Sequence, residues 1–232
     1  MLVKKVYIDL ETLPPEIDLD KFKEELEAPG NIKKPESRLK WVEENWEEKY
    51  RKLATNTDQA NICSIGAAVE EGDINVFLDK NRDEKSILLD FYNFLIEELQ
   101  ADIEEDLDIE VCQSLIIWIG FNNKKFDMDL LWKRAMKHGL YDLCKLIPRE
   151  RYTKNIFDLM EIWSPFEYNK MIKQDNLCDF FGIEGKPEGI DGSMIYDVWH
   201  AGEFDRIIEY NADDVDKVRK LYKIVSKGYN NF

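Results

Sequence analysis

The chain has 232 residues, of which 44% are hydrophobic, 12% aromatic and 34% charged, and its formal net charge is −16. This size and composition predict one soluble globular domain over residues 1–232, and no apolar run is long enough to cross a bilayer, so a membrane protein is excluded. The negative charge argues at first sight against a nucleic-acid partner, but much of it lies in two blocks, 16–28 and 97–110, and bound divalent cations would reverse the local sign.

The first predicted strand covers residues 3–10 and ends before the Pro14-Pro15 pair. Because the chain enters this strand without the apolar region and cleavage site of a signal peptide, a cytoplasmic location is expected. Two further strands are predicted at 62–69 and 74–78. The Gly72-Asp73 pair between them suits a hairpin turn, so they are expected to be antiparallel neighbours.

The connection between the first and second strands, residues 13–61, is unusually long and is predicted to be a helical insertion. Its aromatic residues could pack against the body of the domain or offer a surface on which bases stack. Packing is the favoured interpretation, because buried aromatic side chains most often serve the core. These residues are Trp41, Trp46 and Tyr50.

Helices and strands alternate through the rest of the chain. The predictions are an amphipathic helix through residues 87–99, a buried strand at 114–120, a helix at 124–138, an extended segment at 155–160, a short helix at 175–181 and a long helix at 203–226. This order specifies an α/β fold with a mixed sheet flanked by helices. The four cysteines are scattered and are interpreted as reduced, mostly buried residues.

Acidic residues at the ends of predicted elements carry the chemistry. Asp9 and Glu11 are two apart on the first strand, so both side chains project from one face. Asp127 follows a strand that turns through Gly120 into a helix. Asp158, which follows another apolar segment, is interpreted as a structural residue or as one that supports the ligands of the site.

The last helix carries Tyr210 and Asp214 four residues apart, so they lie side by side on one face. Each pattern alone has a plain structural explanation. The Asp9 and Glu11 pair could lie at a solvated strand end, and Asp127 could be an aspartate favoured by a helix dipole. Tyr210 and Asp214 could be an ordinary surface pair.

Taken together and in order, the three segments resemble the DEDD exonuclease superfamily, which has an RNase H-like (DnaQ-like) fold. Tyr210 indicates the tyrosine subclass, DEDDy, because the histidine subclass would have His at position 209, which is Glu here. Residues 186–199 and 210–215 look like stand-alone relatives of the proofreading exonuclease domains of family B DNA polymerases. The resemblance covers residues 3–13 and about 60–228; the insertion departs from it.

The resemblance implies a 3'-5' exonuclease that uses two divalent ions, Mg²⁺ or Mn²⁺, and releases nucleoside monophosphates from the 3' end of DNA, preferably single-stranded. Asp9 would bridge both ions, Glu11 and Asp214 would complete the site of one, and Asp127 would hold the other through water. Tyr210 would orient the attacking water, since its ordinary pKa near 10 suits positioning better than general-base chemistry. Further substrate contacts are expected from Thr12, Leu13 and Asn122.

Two alternatives stay open: an exoribonuclease with the same metal site, and a catalytically silent nuclease fold that serves as an interaction module. A polymerase or another replication or repair protein is a candidate partner for so acidic an enzyme. The densest basic cluster could meet phosphates, although a solvated helix face explains it about as well. The cluster consists of Lys124, Lys125, Lys133, Arg134 and Lys137.

Overall fold

A five-stranded mixed sheet forms the centre of this computed structural model, which describes residues 3–101, 108–150, 153–165, 172–184 and 190–229. The strands lie in the order β3-β2-β1-β4-β5. They are β1 (Lys4–Leu13), β2 (Asn61–Val69), β3 (Asn75–Phe77), β4 (Ile116–Gly120) and β5 (Ile156–Asp158). β2 is antiparallel to β1 and β3, whereas β4 is parallel to β1 and to β5. The predicted mixed α/β sheet is confirmed.

Helices cover both faces of the sheet. They are α1 (Leu19–Glu25), α2 (Pro35–Arg51), α3 (Glu84–Gln100), α4 (Ile109–Ser114), α5 (Asp127–Lys137), α6 (Tyr141–Leu146), α7 (Leu159–Trp163), α8 (Gln174–Phe181), α9 (Ile195–His200) and α10 (Phe204–Val225). Short 3₁₀ turns occupy Lys52–Thr55, Gly192–Met194 and Ser226–Gly228. Among the described residues, no helix is both long and apolar enough to cross a membrane.

The alternation of side chains along β1 divides the core into two layers. Val6, Ile8 and Leu10 face the layer that contains α3 and α5, while Tyr7 faces the layer that contains α10. Asp9 and Glu11 follow Tyr7 at intervals of two. The two carboxylates therefore belong to the α10 face of the sheet.

β1 continues beyond residue 10, where the predicted strand ended, and includes Glu11, Thr12 and Leu13. Pairing with β2 continues to Leu13 opposite Asn61, with a register shift between Glu11 and Thr12. The strand ends at Leu13, because the following residue, Pro14, cannot donate to a ladder. By contrast, the extended segment predicted at 155–160 is shorter, because Asp158 caps α7 by accepting hydrogen bonds from the N–H groups of Met160 and Glu161.

The insertion is helical, as predicted, and packs against the body through the end of α2. Tyr50 is buried, its hydroxyl donates to the Pro15 carbonyl oxygen at 3.0 Å, and its ring makes an edge contact with Tyr196 of α9. Arg51 donates to both carboxylate oxygens of Asp197, each at 2.7 Å. The packing interpretation is confirmed for Tyr50, whereas Trp41 and Trp46 are half-buried beneath lysine ammonium groups.

Two stretches singled out in the sequence fall partly outside the described residues. These are the acidic block 97–110, of which 102–107 lie outside, and the segment 186–199, of which 186–189 lie outside. All four cysteines are buried and free of disulfides.

Candidate active site

Three carboxylates from two elements meet on the α10 face of the sheet. Asp9 and Glu11 of β1 and Asp214 of α10 each offer an oxygen atom, and these oxygens all lie within 4.8 Å of one another. Asp9 is half-buried, whereas Glu11 and Asp214 are 8% and 6% exposed. Carboxylates this close repel one another, so the arrangement suits a bound cation. An all-oxygen donor set fits Mg²⁺ or Mn²⁺.

Gly66 of β2 allows α10 to lie this close to the sheet. It pairs with Asp9 in the β1–β2 register. A Cβ atom at Gly66 would lie 2.8 Å from Cγ2 of Val215 and 2.9 Å from Oδ1 of Asn211. Glycine is therefore needed at this close approach of strand and helix.

Asn211 connects α10 to the carboxylate cluster, and it was not identified from the sequence. The side chain is fully buried, and its Nδ2 donates to Asp9 Oδ2 at 2.8 Å and to the Asp9 carbonyl oxygen at 3.2 Å. Its Oδ1 accepts a hydrogen bond from Ser64 Oγ at 2.8 Å. These contacts orient the Asp9 carboxylate. The sequence feature that could have indicated this role is the amide side chain of Asn211 on a helix face that is otherwise expected to be apolar.

Tyr210 lies beside the cluster on α10 and is nearly fully buried. Burial raises the pKa of its phenol well above the usual value, and the negative charges of Glu11, Asp214 and Asp9 and a hydrogen bond with Asp214 add to the rise. Its ring packs with Leu13, and with Ile195 from α9. The phenol therefore keeps its proton and acts as a hydrogen-bond donor at neutral pH.

Asp127 lies at the start of α5, and its carboxylate is not part of the group of three. Its Oδ1 accepts a hydrogen bond at 3.0 Å from the Leu10 N–H, which belongs to the residue between Asp9 and Glu11. Pairing of β1 with β4 stops at Tyr7. The Leu10 N–H lies beyond the end of that ladder, and the Asp127 carboxylate is its hydrogen-bond acceptor instead of a β4 carbonyl oxygen. Burial, and secondarily the charge of Asp158, raise the pKa of Asp127 to about 7.

A family described as a predicted 3'-5' exonuclease related to the exonuclease domain of PolB matches residues 55–223. The chain belongs to this family. The matched range includes Asp127, Tyr210 and Asp214 but begins after Asp9 and Glu11, so it is the structure that brings the β1 carboxylates to the same site.

The fold is similar to that of the family B DNA polymerase from the hyperthermophilic archaeon Pyrobaculum calidifontis. The TM-score is 0.61 at 17% sequence identity, and the match covers 97% of this chain and 25% of the polymerase. The chain thus spans about a quarter of that polymerase's length. No curated protein matches the chain. The predicted exonuclease-type fold is confirmed.

Asp158 lies outside the group of three carboxylates and contacts the backbone of the loop that precedes α5. Its two oxygens accept hydrogen bonds from the N–H groups of Asn122 and Lys124, at 3.0 and 3.1 Å, in addition to capping α7. Asn122 has a φ of +60°, so these contacts stabilise a turn that is uncommon for a residue other than glycine. Asp158 thereby fixes the loop that leads from β4 to Asp127.

Two of the expected substrate contacts, Thr12 and Leu13, follow Glu11 at the end of β1. The Thr12 hydroxyl donates to the Ala54 carbonyl oxygen at 2.7 Å, which ties this residue to the insertion. Leu13 has no exposed surface and packs with Tyr210. Contact of Thr12, Leu13 and Asn122 with a nucleotide stays a prediction.

Three of the five residues of the predicted basic cluster form ion pairs within the chain, and contact of the cluster with phosphates stays a prediction. Arg134 is buried against Glu84. The Lys133 ammonium lies 2.6 Å from both Asp129 and Asp58. Lys124 pairs with Glu161 at 2.9 Å. Sequence spacing placed these cations on one helix but could not show the carboxylates brought to them by other elements.

Proposed function

We propose that this member of the family is an active, metal-dependent 3'-5' exonuclease that removes nucleoside monophosphates one at a time from single-stranded DNA. The observation that carries the proposal is the meeting of Asp9, Glu11 and Asp214 within 4.8 Å, with Tyr210 hydrogen-bonded to Asp214. Membership in the exonuclease family supports the same reaction class.

The acidic side chains would hold two ions, with Asp9, Glu11 and Asp214 as direct ligands and Asp127 as an auxiliary ligand through water. Divalent ions, when bound, stabilise charge on the attacking and leaving oxygens of a phosphodiester. Asn211 prepares the site by holding Asp9 in one orientation. Such preorganised ligands lose little freedom when the cation arrives.

Tyr210 would act on the attacking water. Its buried phenol remains protonated, so it orients the water through a hydrogen bond and does not remove a proton from it. Leu13 and the residues of α9 pack around the ring and limit its movement. Thr12 and Asn122 would contact the terminal nucleotide and the substrate strand.

The test is digestion of 5'-labelled and 3'-labelled single-stranded DNA and RNA oligonucleotides with Mg²⁺ or Mn²⁺. The 5'-labelled DNA should give a ladder that shortens by one nucleotide at a time, and EDTA should abolish it. Asp9→Ala and Asp214→Ala should lower kcat by at least ~10²-fold, and Tyr210→Phe by about 10- to 100-fold.

Asp216→Ala is the matched control, because Asp216 lies on the same helix but pairs with the cations Arg219 and Lys220 and is outside the group of three carboxylates. It should retain wild-type activity. A ladder on RNA alone would replace the DNA assignment with an exoribonuclease. The absence of metal-dependent cleavage of either polymer, or equal cleavage by wild type and Asp9→Ala, would contradict the proposal.

A further inference from the structure

Lys217 is a fully buried lysine next to the candidate active site. Its side chain is 1% exposed, and its Nζ lies 2.6 Å from Asp213 Oδ2, 3.5 Å from Asp175 Oδ1 and 3.9 Å from Asp214 Oδ1. Removing an ammonium group from water is unfavourable unless carboxylates compensate for it. The Lys217 ammonium group is therefore surrounded by carboxylates, and one of them, Asp214, belongs to the group of three.

Gln174, the first residue of α8, contacts the same aspartate directly. Its Nε2 donates to the Asp214 carbonyl oxygen at 3.1 Å and to Asp214 Oδ1 at 3.3 Å. The next residue, Asp175, faces Lys217. The first turn of α8 thus holds Asp214 both by hydrogen bonds and through the charge of Lys217.

The two contacts converge on one oxygen, Oδ1 of Asp214. A carboxylate approached by an amide donor and an ammonium group loses rotational freedom, and part of its negative charge is offset. Asp214 also lies within 4.8 Å of two other carboxylates, so this offset lowers the repulsion in the metal-free protein.

We propose that Gln174 and Lys217 are positioning residues that fix Asp214 for a divalent cation. The inference rests on the proposed function, because it assigns Asp214 as a metal ligand. Groups that hydrogen-bond to metal-ligating side chains commonly change metal affinity by about 10- to 100-fold when they are removed. An effect of this size is expected here.

The experiment compares the 232-residue wild-type chain with Gln174→Met and Lys217→Met. The first variant keeps the side-chain length but removes both donated hydrogen bonds, and the second keeps an apolar stem but removes the charge. Lys220→Met is the control, since Lys220 lies on the same helix, is 53% exposed and pairs with Asp216 outside the cluster. The Mn²⁺ affinity is measured by calorimetry and by the electron paramagnetic resonance spectrum of bound Mn²⁺, without nucleic acid.

Gln174→Met and Lys217→Met should each raise the Mn²⁺ Kd by about 10- to 100-fold, while Lys220→Met stays within about twofold of wild type. At a fixed, subsaturating Mn²⁺ concentration kcat should fall in parallel, and excess Mn²⁺ should restore part of it. KM for a single-stranded oligonucleotide should change by less than about twofold, since neither residue is assigned to substrate binding. Thermal unfolding in EDTA verifies that each variant is folded.

Wild-type binding of Mn²⁺ with an unchanged Kd in Gln174→Met would overturn the positioning role and leave the proposed function intact. A raised KM at unchanged Mn²⁺ affinity would overturn it too, because Gln174 would then contact the substrate. If Lys217→Met does not fold, Gln174→Met alone decides. A wild type that neither binds Mn²⁺ nor cleaves DNA would refute the proposed function and this inference with it.

Discussion

Gly66→Ala tests how strictly the site depends on the distance between β2 and α10. Alanine is favoured over glycine within a strand by ~0.5–1 kcal/mol, so a position with room for a methyl group would be stabilised. Here the added Cβ would lie 2.8 Å from Val215 Cγ2 and 2.9 Å from Asn211 Oδ1. Overpacking of this kind costs ~1–3 kcal/mol, which outweighs the gain. We expect a net loss of about 1–2 kcal/mol, or a Tm lower by ~2–8 °C for a chain of this length.

The same substitution should weaken the site. A displaced Asn211 cannot keep its 2.8 Å hydrogen bond to Asp9 Oδ2, and a shift of about 1 Å at a catalytic group can lower the rate by ~10²-fold. Calorimetry in EDTA gives the Tm, and oligonucleotide digestion gives kcat. Gly30→Ala is the control, because a Cβ there meets no atom within 4 Å. A Gly66→Ala protein as stable and as active as wild type would refute this account of the close approach.

Three further perturbations probe the charges of the protein. Mg²⁺ or Mn²⁺ at about 100 times Kd should stabilise the fold by ~2.7 kcal/mol, and differential scanning fluorimetry should show no metal-induced rise in Tm for Asp9→Ala or Asp214→Ala. The pKa of Asp127 is higher in the folded than in the unfolded chain, so the metal-free protein should lose stability as pH rises from about 4 to about 7. Urea titrations in EDTA should therefore show Asp127→Asn to be more stable than wild type by ~1–4 kcal/mol at pH 8, and this gain should disappear toward pH 4. A gain that does not depend on pH would contradict the raised pKa of Asp127. Glu84→Gln leaves the buried Arg134 charge unpaired and should cost ~3–5 kcal/mol by urea unfolding, with unchanged Mn²⁺ affinity because the pair lies on the opposite face of the sheet.

The sequence predicted the parts of the site that depend on local periodicity. Asp9 and Glu11 share a face because strand side chains alternate, and Tyr210 and Asp214 are neighbours because a helix brings residues four apart together. The structure brings these four side chains to one place. The order of strands and helices likewise gave the mixed sheet.

Features that depend on contacts between distant elements could not be predicted in this way. The role of Gly66 follows from the distance between β2 and α10, and that of Asn211 follows from its position opposite Asp9. The carboxylate of Asp127 is directed to Leu10 because β4 pairing ends early, which no spacing reveals. In the sequence, Lys217 cannot be distinguished from a solvated lysine on a helix surface. Its burial and its contact with Asp175 follow from the position of α8.

The buried Glu84 has a consequence for association between molecules. β3 pairs with only residues 65–67 of β2, so the earlier part of β2 extends beyond its neighbour at this side of the sheet. There the Ile62 N–H donates to Glu84 Oε1 at 2.7 Å, and the same carboxylate is held by Arg134 and His138. A second chain that tried to add a strand at this position would have to displace a buried ion pair. The Glu84 carboxylate thus occupies the place at which another strand would pair with Ile62.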